Sequence, residues 1–546
     1  MLESRGFAVA AALTLSLAAL AQPAALERGK PLAARLRGGE QHEYALRLRA
    51  GMYAHVTVEQ QGIDVVVTAL APDGKPLAEI DSPNGANGPE PLGFAATASG
   101  THRVVVRSFD ATAAEGAYVI RVDELLSRTA YRARVAEERQ REVAVSTWLR
   151  EHAIALRSAE PGAPLDDLAP LASTLRDARI VGLGEATHGS HELFTLKHRL
   201  IELLITRLGY RVIAFEGTAS GGAAIDAYIH GSGDRAAAMN ALASIWITQN
   251  AEVASLIEWL RAYNAGVAEA DRVRFVGLDP QGSATEDATL RAFLRAAGAE
   301  ERFRALLDFV RIEDEKANRF ERTNVRAARV HELEALVAYL VAREGDLVRR
   351  TSPRDYEAAL TAARHLVQFA QFNSDLPRAE AITRDEAMAD NFFRAVPADA
   401  RAIVWAHNAH VSTNDRSSYK PLGALLRNAY GTRYYALATS FNRGSFRAQV
   451  PGSTPPDVRS FTLPAALPGT IDALLAAMRM PLAIVDLRAD APPPVASWLA
   501  EPRRMHWIGA LWSDANTGAQ AFQPFVLTRD FDGVLFVENT SAAVVP

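Results

Sequence analysis

The feature that most constrains this chain is a series of short, almost wholly apolar runs alternating with helix-periodic stretches. From Arg179 onward these runs are Ile180-Val181-Gly182-Leu183, Val212-Ile213-Ala214-Phe215, Val273 through Leu278, Ala402-Ile403-Val404-Trp405, Tyr434-Tyr435-Ala436-Leu437, Leu482-Ala483-Ile484-Val485 and Val534-Leu535-Phe536-Val537. A strand that is apolar on both faces has to be covered on both faces, which is the mark of a parallel sheet flanked by helices. Between the runs, residues such as Leu200, Leu203, Leu204 and Leu208 recur at helical spacing. The predicted fold class is therefore α/β, with a mostly parallel sheet and helices on both faces. Arg304 to Phe372 reads as mostly helix, broken near Thr351-Ser352-Pro353, so a helical insertion is expected at about 300–395.

The ionisable residues fall at the ends of these runs. Glu185 and His188 follow the first, Glu216 the second and Asp279 the third. His407 and His410 follow Val404-Trp405, Asp486 follows Ile484-Val485, and Glu538 follows Phe536-Val537. In open α/β sheets, sites form outside the carboxyl ends of the strands, so several of these residues are expected to meet in one crevice. The sharpest motif runs from Gly182-Leu183-Gly184-Glu185-Ala186-Thr187-His188-Gly189 to Glu192. Its glycines permit a tight strand-to-helix turn that presents Glu185 and His188 at the sheet edge. A helix beginning near Ser190 would aim amide donors at the same place. His191 is expected to point elsewhere. Asp279 reads equally well as a strand-end cap or as a wall of the crevice. Trp246, Trp405 and Trp507 read as core or pocket wall.

Gly184-Glu185-Ala186-Thr187-His188-Gly189, Glu192, Lys197-His198-Arg199 and Ala214-Phe215-Glu216 together resemble the erythromycin esterase family. Arg384-Asp385-Glu386-Ala387-Met388-Ala389-Asp390-Asn391 and Val404-Trp405-Ala406-His407-Asn408-Ala409-His410 match further motifs of that family in the expected order. The resemblance spans about Leu165 to Glu538. It implies ester hydrolysis without a metal or other cofactor, with His188 as general base and active-site roles for Glu185, Glu216 and the later histidines. The family often has Arg where this chain has Lys197, one of only five lysines among 59 basic residues. Lys is a point charge and Arg a planar fork, so substrate contacts are expected to differ there.

The chemistry is also coherent without the resemblance. A neutral imidazole can take a proton from water near neutral pH. A carboxylate beside it, from Glu185 or Glu216, would fix its tautomer and stabilise the imidazolium. In this reading Glu185 supports His188, Glu216 orients or polarises the water, and His410 or Lys197 meets the carbonyl oxygen. The expected partner is a small-molecule ester. Two other readings use the same residues. His188, His407, His410, Glu185 and Glu216 are acceptable ligands for a hydrolytic zinc or manganese, and the crevice could also serve a binding protein without turnover.

Several classes are excluded. There is no Gly-x-Ser-x-Gly elbow, no His-Glu-x-x-His, no phosphate-binding loop and no dinucleotide fingerprint. Cysteine is absent, which removes disulfides and thiolate chemistry. A formal net charge of −5 without a basic block speaks against nucleic-acid binding.

At the N-terminus, Arg5, the apolar stretch Phe7–Leu20 and Ala19-Leu20-Ala21 read as a signal peptide over residues 1–21. That implies export to the periplasm or beyond, with no membrane span after its removal. Residues 26–123 show alternating short strands with Gly and Pro punctuation, as in Tyr44-Ala45-Leu46-Arg47-Leu48, and read as an all-β sandwich. This part resembles the pre-peptidase C-terminal domain type, which implies binding, folding assistance or attachment rather than catalysis. Residues 124–158 read as a helical linker, and 159–546 as the α/β domain. Neither the oligomeric state nor the substrate is legible.

Overall fold

The computed structural model describes residues 23–82, 86–241, 249–281, 284–317, 327–374, 376–377, 381–415, 420–514, 516 and 518–545. The expected signal peptide and Trp246 lie outside these. The chain divides into two compact units, Met1–Gln140 and Arg141–Pro546.

The first unit is built from two sheets. One orders the strands Ala24–Ala25, Gln41–Leu48, Gly100–Ser108, Val65–Leu70 and Pro76–Ile80; the other orders Leu32–Leu36, Gly116–Leu126, Tyr53–Gln61 and Asn87–Ala95. All pairings are antiparallel except that of Ala24–Ala25 with Gln41–Leu48. Alternation explains the arrangement: Tyr118, Ile120 and Val122 are buried while the residues between them are half-exposed. The buried hydroxyls of Tyr44 and Tyr118 satisfy each other at 2.7 Å. The helix Arg128–Glu151 follows, and the division between the units falls inside it.

The second unit carries seven main strands: β1 (Ile180–Leu183), β2 (Val212–Phe215), β3 (Arg274–Gly277), β4 (Ala402–Trp405), β5 (Tyr434–Gln449), β6 (Leu482–Asp486) and β7 (Gly533–Thr540). Their order is β6-β7-β5-β1-β4-β2-β3, with Ala153–Ala155 beyond β6 and Val458–Leu463 paired to the far half of β5. Six of the seven run parallel, and β6 alone opposes its neighbour β7. Successive side chains feed opposite faces. Val181, Leu183, Ile213, Phe215, Ile403 and Trp405 belong to one core. Ile180, Val212, Ala214, Ala402 and Val404 belong to the other. The α/β fold is thus a mostly parallel sheet covered on both faces.

Register does the positioning. Leu183 lies opposite both Leu437 and Trp405, and Phe215 lies opposite Trp405 and Gly277. The carboxyl ends of β1, β4, β2 and β3 are therefore flush, and the residues that follow them share one edge. Asp486 does not join them. Because β6 is antiparallel, Asp486 pairs with Gly533 at the start of β7, and its carboxylate takes Arg488. Glu538, on β7, is bound instead by Asn442 at 2.7 Å.

Between β3 and β4 the helices Ala284–Ala296, Glu300–Ala317, Ala327–Ala342, Glu344–Arg350 and Pro353–Phe372 enclose a core of their own around Leu290, Leu307, Leu333, Leu336 and Leu366. The break expected near Thr351 is a restart. Ser352 caps the new helix by accepting from the Asp355 amide, and Pro353 follows it. The next helix, Arg384–Ala395, joins the sheet instead, through Met388 and Phe392. A reciprocal capping box between Thr383 and Glu386 fixes its start, and with it the direction in which Arg384 leaves the backbone.

The helix Ala219–Ile229 lies against β3 so closely that a side chain at Gly222 would overlap the Gly277 backbone. Gly222→Ala should therefore cost about 1–3 kcal/mol, measured as a lowered unfolding midpoint of this unit.

Candidate active site

Gly184 donates its amide to Leu437 O at 2.8 Å and Ala186 donates to Thr439 Oγ1 at 2.8 Å, so the turn after β1 is tied to β5. Ser190 then stands at the N-cap position of the helix His191–Leu208, its hydroxyl turned to that of Thr187 at 2.8 Å rather than to the helix amides. Within this turn the buried Glu185 carboxylate is the centre of a chain of contacts. Its Oε1 lies 2.6 Å from His188 Nδ1. Its Oε2 accepts from Lys197 Nζ at 2.5 Å and from Trp405 Nε1 at 2.9 Å. Lys197 Nζ also sits 4.5 Å from the centre of the Trp405 ring. Burial alone would raise the Glu185 pKa, but Lys197 and His188 outweigh it and hold the group at about 2. Burial pushes Lys197 down to about 8 against the pull of Glu185, so both remain charged at neutral pH. An ionised Glu185 makes His188 Nδ1 the donor, which leaves the lone pair on Nε2. That nitrogen has no hydrogen-bond partner among the described residues, and His188 is 7% exposed.

A second cluster is built on Glu216, directly after β2. Its Oε1 accepts from Arg384 Nη2 at 2.7 Å and lies 3.4 Å from His410 Nε2. Its Oε2 accepts from the His407 amide at 2.7 Å. Arg384 also grips Asp279 with two nitrogens, at 3.0 Å and 2.6 Å, which makes Asp279 a wall of the site. His410 Nδ1 lies 2.8 Å from Asp385 Oδ1. Burial would raise the Glu216 pKa, but His410 and Arg384 take it well below the usual carboxylate range. Burial would lower that of His410, yet Asp385 and Glu216 push it up to about 10. Arg384 Nη1 is 2.9 Å from His410 Nε2. That contact is a hydrogen bond only while Nε2 is unprotonated; the protonated ring must present Nε2–H to Glu216 instead. We favour the charged ring, since two carboxylates face it.

His407 joins the two clusters. Its ring centre is 4.9 Å from that of His188, and its backbone amide serves Glu216. Nδ1 accepts from the Ala409 amide at 3.2 Å, and the buried Nε2 has no partner among the described residues. Burial, with His188 alongside, lowers its pKa to about 3, so it is neutral.

The six expected residues Glu185, His188, Lys197, Glu216, His407 and His410 therefore lie in one neighbourhood. His188 and Glu216 make no direct hydrogen bond; the His407 residue lies between them. Lys197 is fully buried beneath Glu185, so the Lys in place of Arg bears on Glu185 rather than on substrate contacts. His191 points away to Glu252, 2.5 Å distant. Arg199 is spent on Asp167 and the carbonyls of Ser158 and Pro164. Arg384 and Asp385 were not expected as site residues. Their signal was present in the Arg384–Asn391 motif, but only the capping geometry shows which of its charged residues turns inward.

A family model described as erythromycin esterase matches residues 205–540, more than half of the chain. The chain belongs to the erythromycin esterase family. Erythromycin esterase type II of Escherichia coli is 25% identical over 334 residues, which is 56% of this chain and 78% of that protein. A Bacillus cereus crystal structure shares the fold with a TM-score of 0.62 and 24% identity, covering 74% of this chain and 99% of its own. An erythromycin esterase EreC variant in an open conformation shares it with a TM-score of 0.50 and 16% identity, covering 69% and 94%. Glu216, Asp279, Arg384, His407 and His410 lie inside the span matched by the erythromycin esterase family. Glu185 and His188 precede it and reach the same edge through β1.

These shifts fix a stability profile. Unfolded His407 takes a proton near pH 6.5 and the folded form only near 3, so stability falls as pH drops through that window. Glu185, at 4.5 unfolded and about 2 folded, adds a second loss below 4.5. His410 acts oppositely: its contribution is present below 6.5 and lost as pH rises towards 10. Each slope reaches at most about 1.4 kcal/mol per pH unit. Chemical denaturation across pH should show maximal stability near neutrality, and His407→Gln should flatten the acid limb between 6.5 and 3.

Proposed function

We propose that this protein hydrolyses carboxylic esters by water attack with His188 as general base, and that macrolide-type lactones are the first class to test. The observation that carries the reading is the 2.6 Å contact between Glu185 Oε1 and His188 Nδ1. It sets the tautomer with the basic lone pair on Nε2 and stabilises the imidazolium that follows. The name of the Escherichia coli relative supplies the macrolide direction.

In this mechanism His188 Nε2 removes a proton from water, and the oxygen attacks the ester carbonyl carbon. Negative charge gathers on the carbonyl oxygen. His410 and Arg384 supply the opposing positive charge, organised by Glu216, Asp279 and Asp385. As the tetrahedral intermediate collapses, the C–O bond to the alcohol breaks and the His188 proton passes to the leaving oxygen. Lys197 acts through Glu185 as a positioning residue.

Metal-free chemistry is the form we propose, because among the described residues no group of three His, Asp or Glu side chains is placed to hold a metal ion. Both Glu216 oxygens are engaged, by Arg384 and the His407 amide, and both Glu185 oxygens, by His188 and Lys197. The apolar stretch at residues 7–20 with Arg5 before it supports export.

His188→Ala should lower kcat at least a thousandfold on any ester the wild type cleaves, with an unchanged circular dichroism spectrum; a fully active variant overturns the assignment. Prolonged chelation should leave turnover intact, and loss of activity restored by added zinc or manganese would replace this mechanism with the metal-dependent one. Lys197→Met should leave Glu185 buried without its counter-charge. It is expected to cost about 3–5 kcal/mol of stability, read by denaturation, and to reduce kcat more than it changes KM.

A further inference from the structure

The edge of the sheet opposite the site carries a feature that ester cleavage leaves unused. An arginine stands before, or at the start of, five neighbouring strands: Arg433 before β5, Arg179 before β1, Arg401 before β4, Arg211 before β2 and Arg274 in β3. With strands about 4.8 Å apart, the row is roughly 19 Å long. Part of it is structural. Arg179 donates to Ala400 O, and Arg211 to Ile205 O, Tyr210 O and Asp271.

Beside this row lies a cavity of about 440 Å³ lined by Ala172, Ser173, Arg176, Arg207, Leu208 and Arg401. Arg401 is held rigidly. Its Nη1 donates to Leu208 O at 2.6 Å, its Nη2 donates to Arg176 O, and its guanidinium lies 5.3 Å from the Tyr210 ring centre. Arg176 and Arg207 are exposed. No carboxylate lines the cavity. Among the described residues none of the three arginines has an acidic partner, whereas Arg157, Arg199 and Arg211 in this unit are each paired with an aspartate. Capping of the helix His191–Leu208 accounts for Arg401 and gives Arg207 a favourable place beside the helix's negative end. It does not account for Arg176, which comes from a different segment to the same cavity. Three like charges around one concavity repel unless an anion joins them.

We infer that this cavity binds a phosphate group, carried by a soluble phosphoryl compound or by a phospholipid headgroup. A carboxylate offers one charge and two oxygens, enough for a single guanidinium fork. A phosphate offers more oxygens and up to two charges, which suits the two exposed forks of Arg176 and Arg207, the fixed charge of Arg401 and the Ser173 hydroxyl. Arg401 is already ordered by its backbone contacts, so little freedom is lost on binding. The site is independent of the esterase reading, because it shares no residue with the catalytic cluster.

The test uses the full chain, with inorganic pyrophosphate titrated by calorimetry at low salt and co-sedimentation with vesicles of phosphatidylglycerol or of phosphatidylcholine alone. Wild type should bind pyrophosphate saturably. The double variant Arg176→Ala/Arg207→Ala should lose at least tenfold in affinity with an unchanged melting temperature, and Arg433→Ala, in the row but outside the cavity, should lose less than twofold. Binding of pyrophosphate without vesicle binding identifies a soluble ligand. Co-sedimentation with phosphatidylglycerol that the double variant loses identifies the headgroup. Absence of both, or equal losses in the double variant and in Arg433→Ala, overturns the inference.

Discussion

The site depends on one buried ion pair, that of Lys197 with Glu185. A carboxylate sealed in an apolar interior would ordinarily hold its proton. Here an ammonium on the following helix and the indole N–H of Trp405 keep it ionised. An ionised Glu185 dictates the proton position on His188, and that position decides which ring nitrogen is basic. The same Trp405 closes β4, packs in the core and faces the ammonium with its ring. The electrostatics of the Glu185 cluster and core packing therefore rest on the same side chain, and neither can be altered alone.

The two clusters treat their histidines differently for plain physical reasons. His410 faces two carboxylates and is held charged, while His407, equally buried, is held neutral. They stand three positions apart in the chain. The short helix Asn408–Val411 sends the His410 ring to Asp385 and leaves the His407 ring beside His188. A neutral His407 ring thus adjoins His188, while the positive charge of His410 is held by its carboxylates.

Much of this was legible in the sequence, and the limits are instructive. Apolar runs on both faces imply a covered parallel sheet, and residues following such runs must share an edge. That logic places Glu185, His188, Glu216, His407 and His410 correctly. It fails for Asp486, because strand direction is not encoded in an apolar run: β6 looks like its neighbours in composition yet runs the other way. It is also silent about Arg384 and Asp385. They begin a helix, and periodicity does not say which residue of a first turn faces inward. Lys197 was recognised as unusual, but its burial beneath Glu185, which sets its role, depends on how one helix lies across β4.

The helices between β3 and β4 close around a core separate from the two that sandwich the sheet. Cohesion within that layer rests on its own apolar side chains rather than on the charged clusters at the strand ends. Repacking inside that layer therefore leaves the flush ends of β1, β4, β2 and β3 untouched, so the scaffold of the charged clusters and the fit of the helical layer are separate mechanical problems.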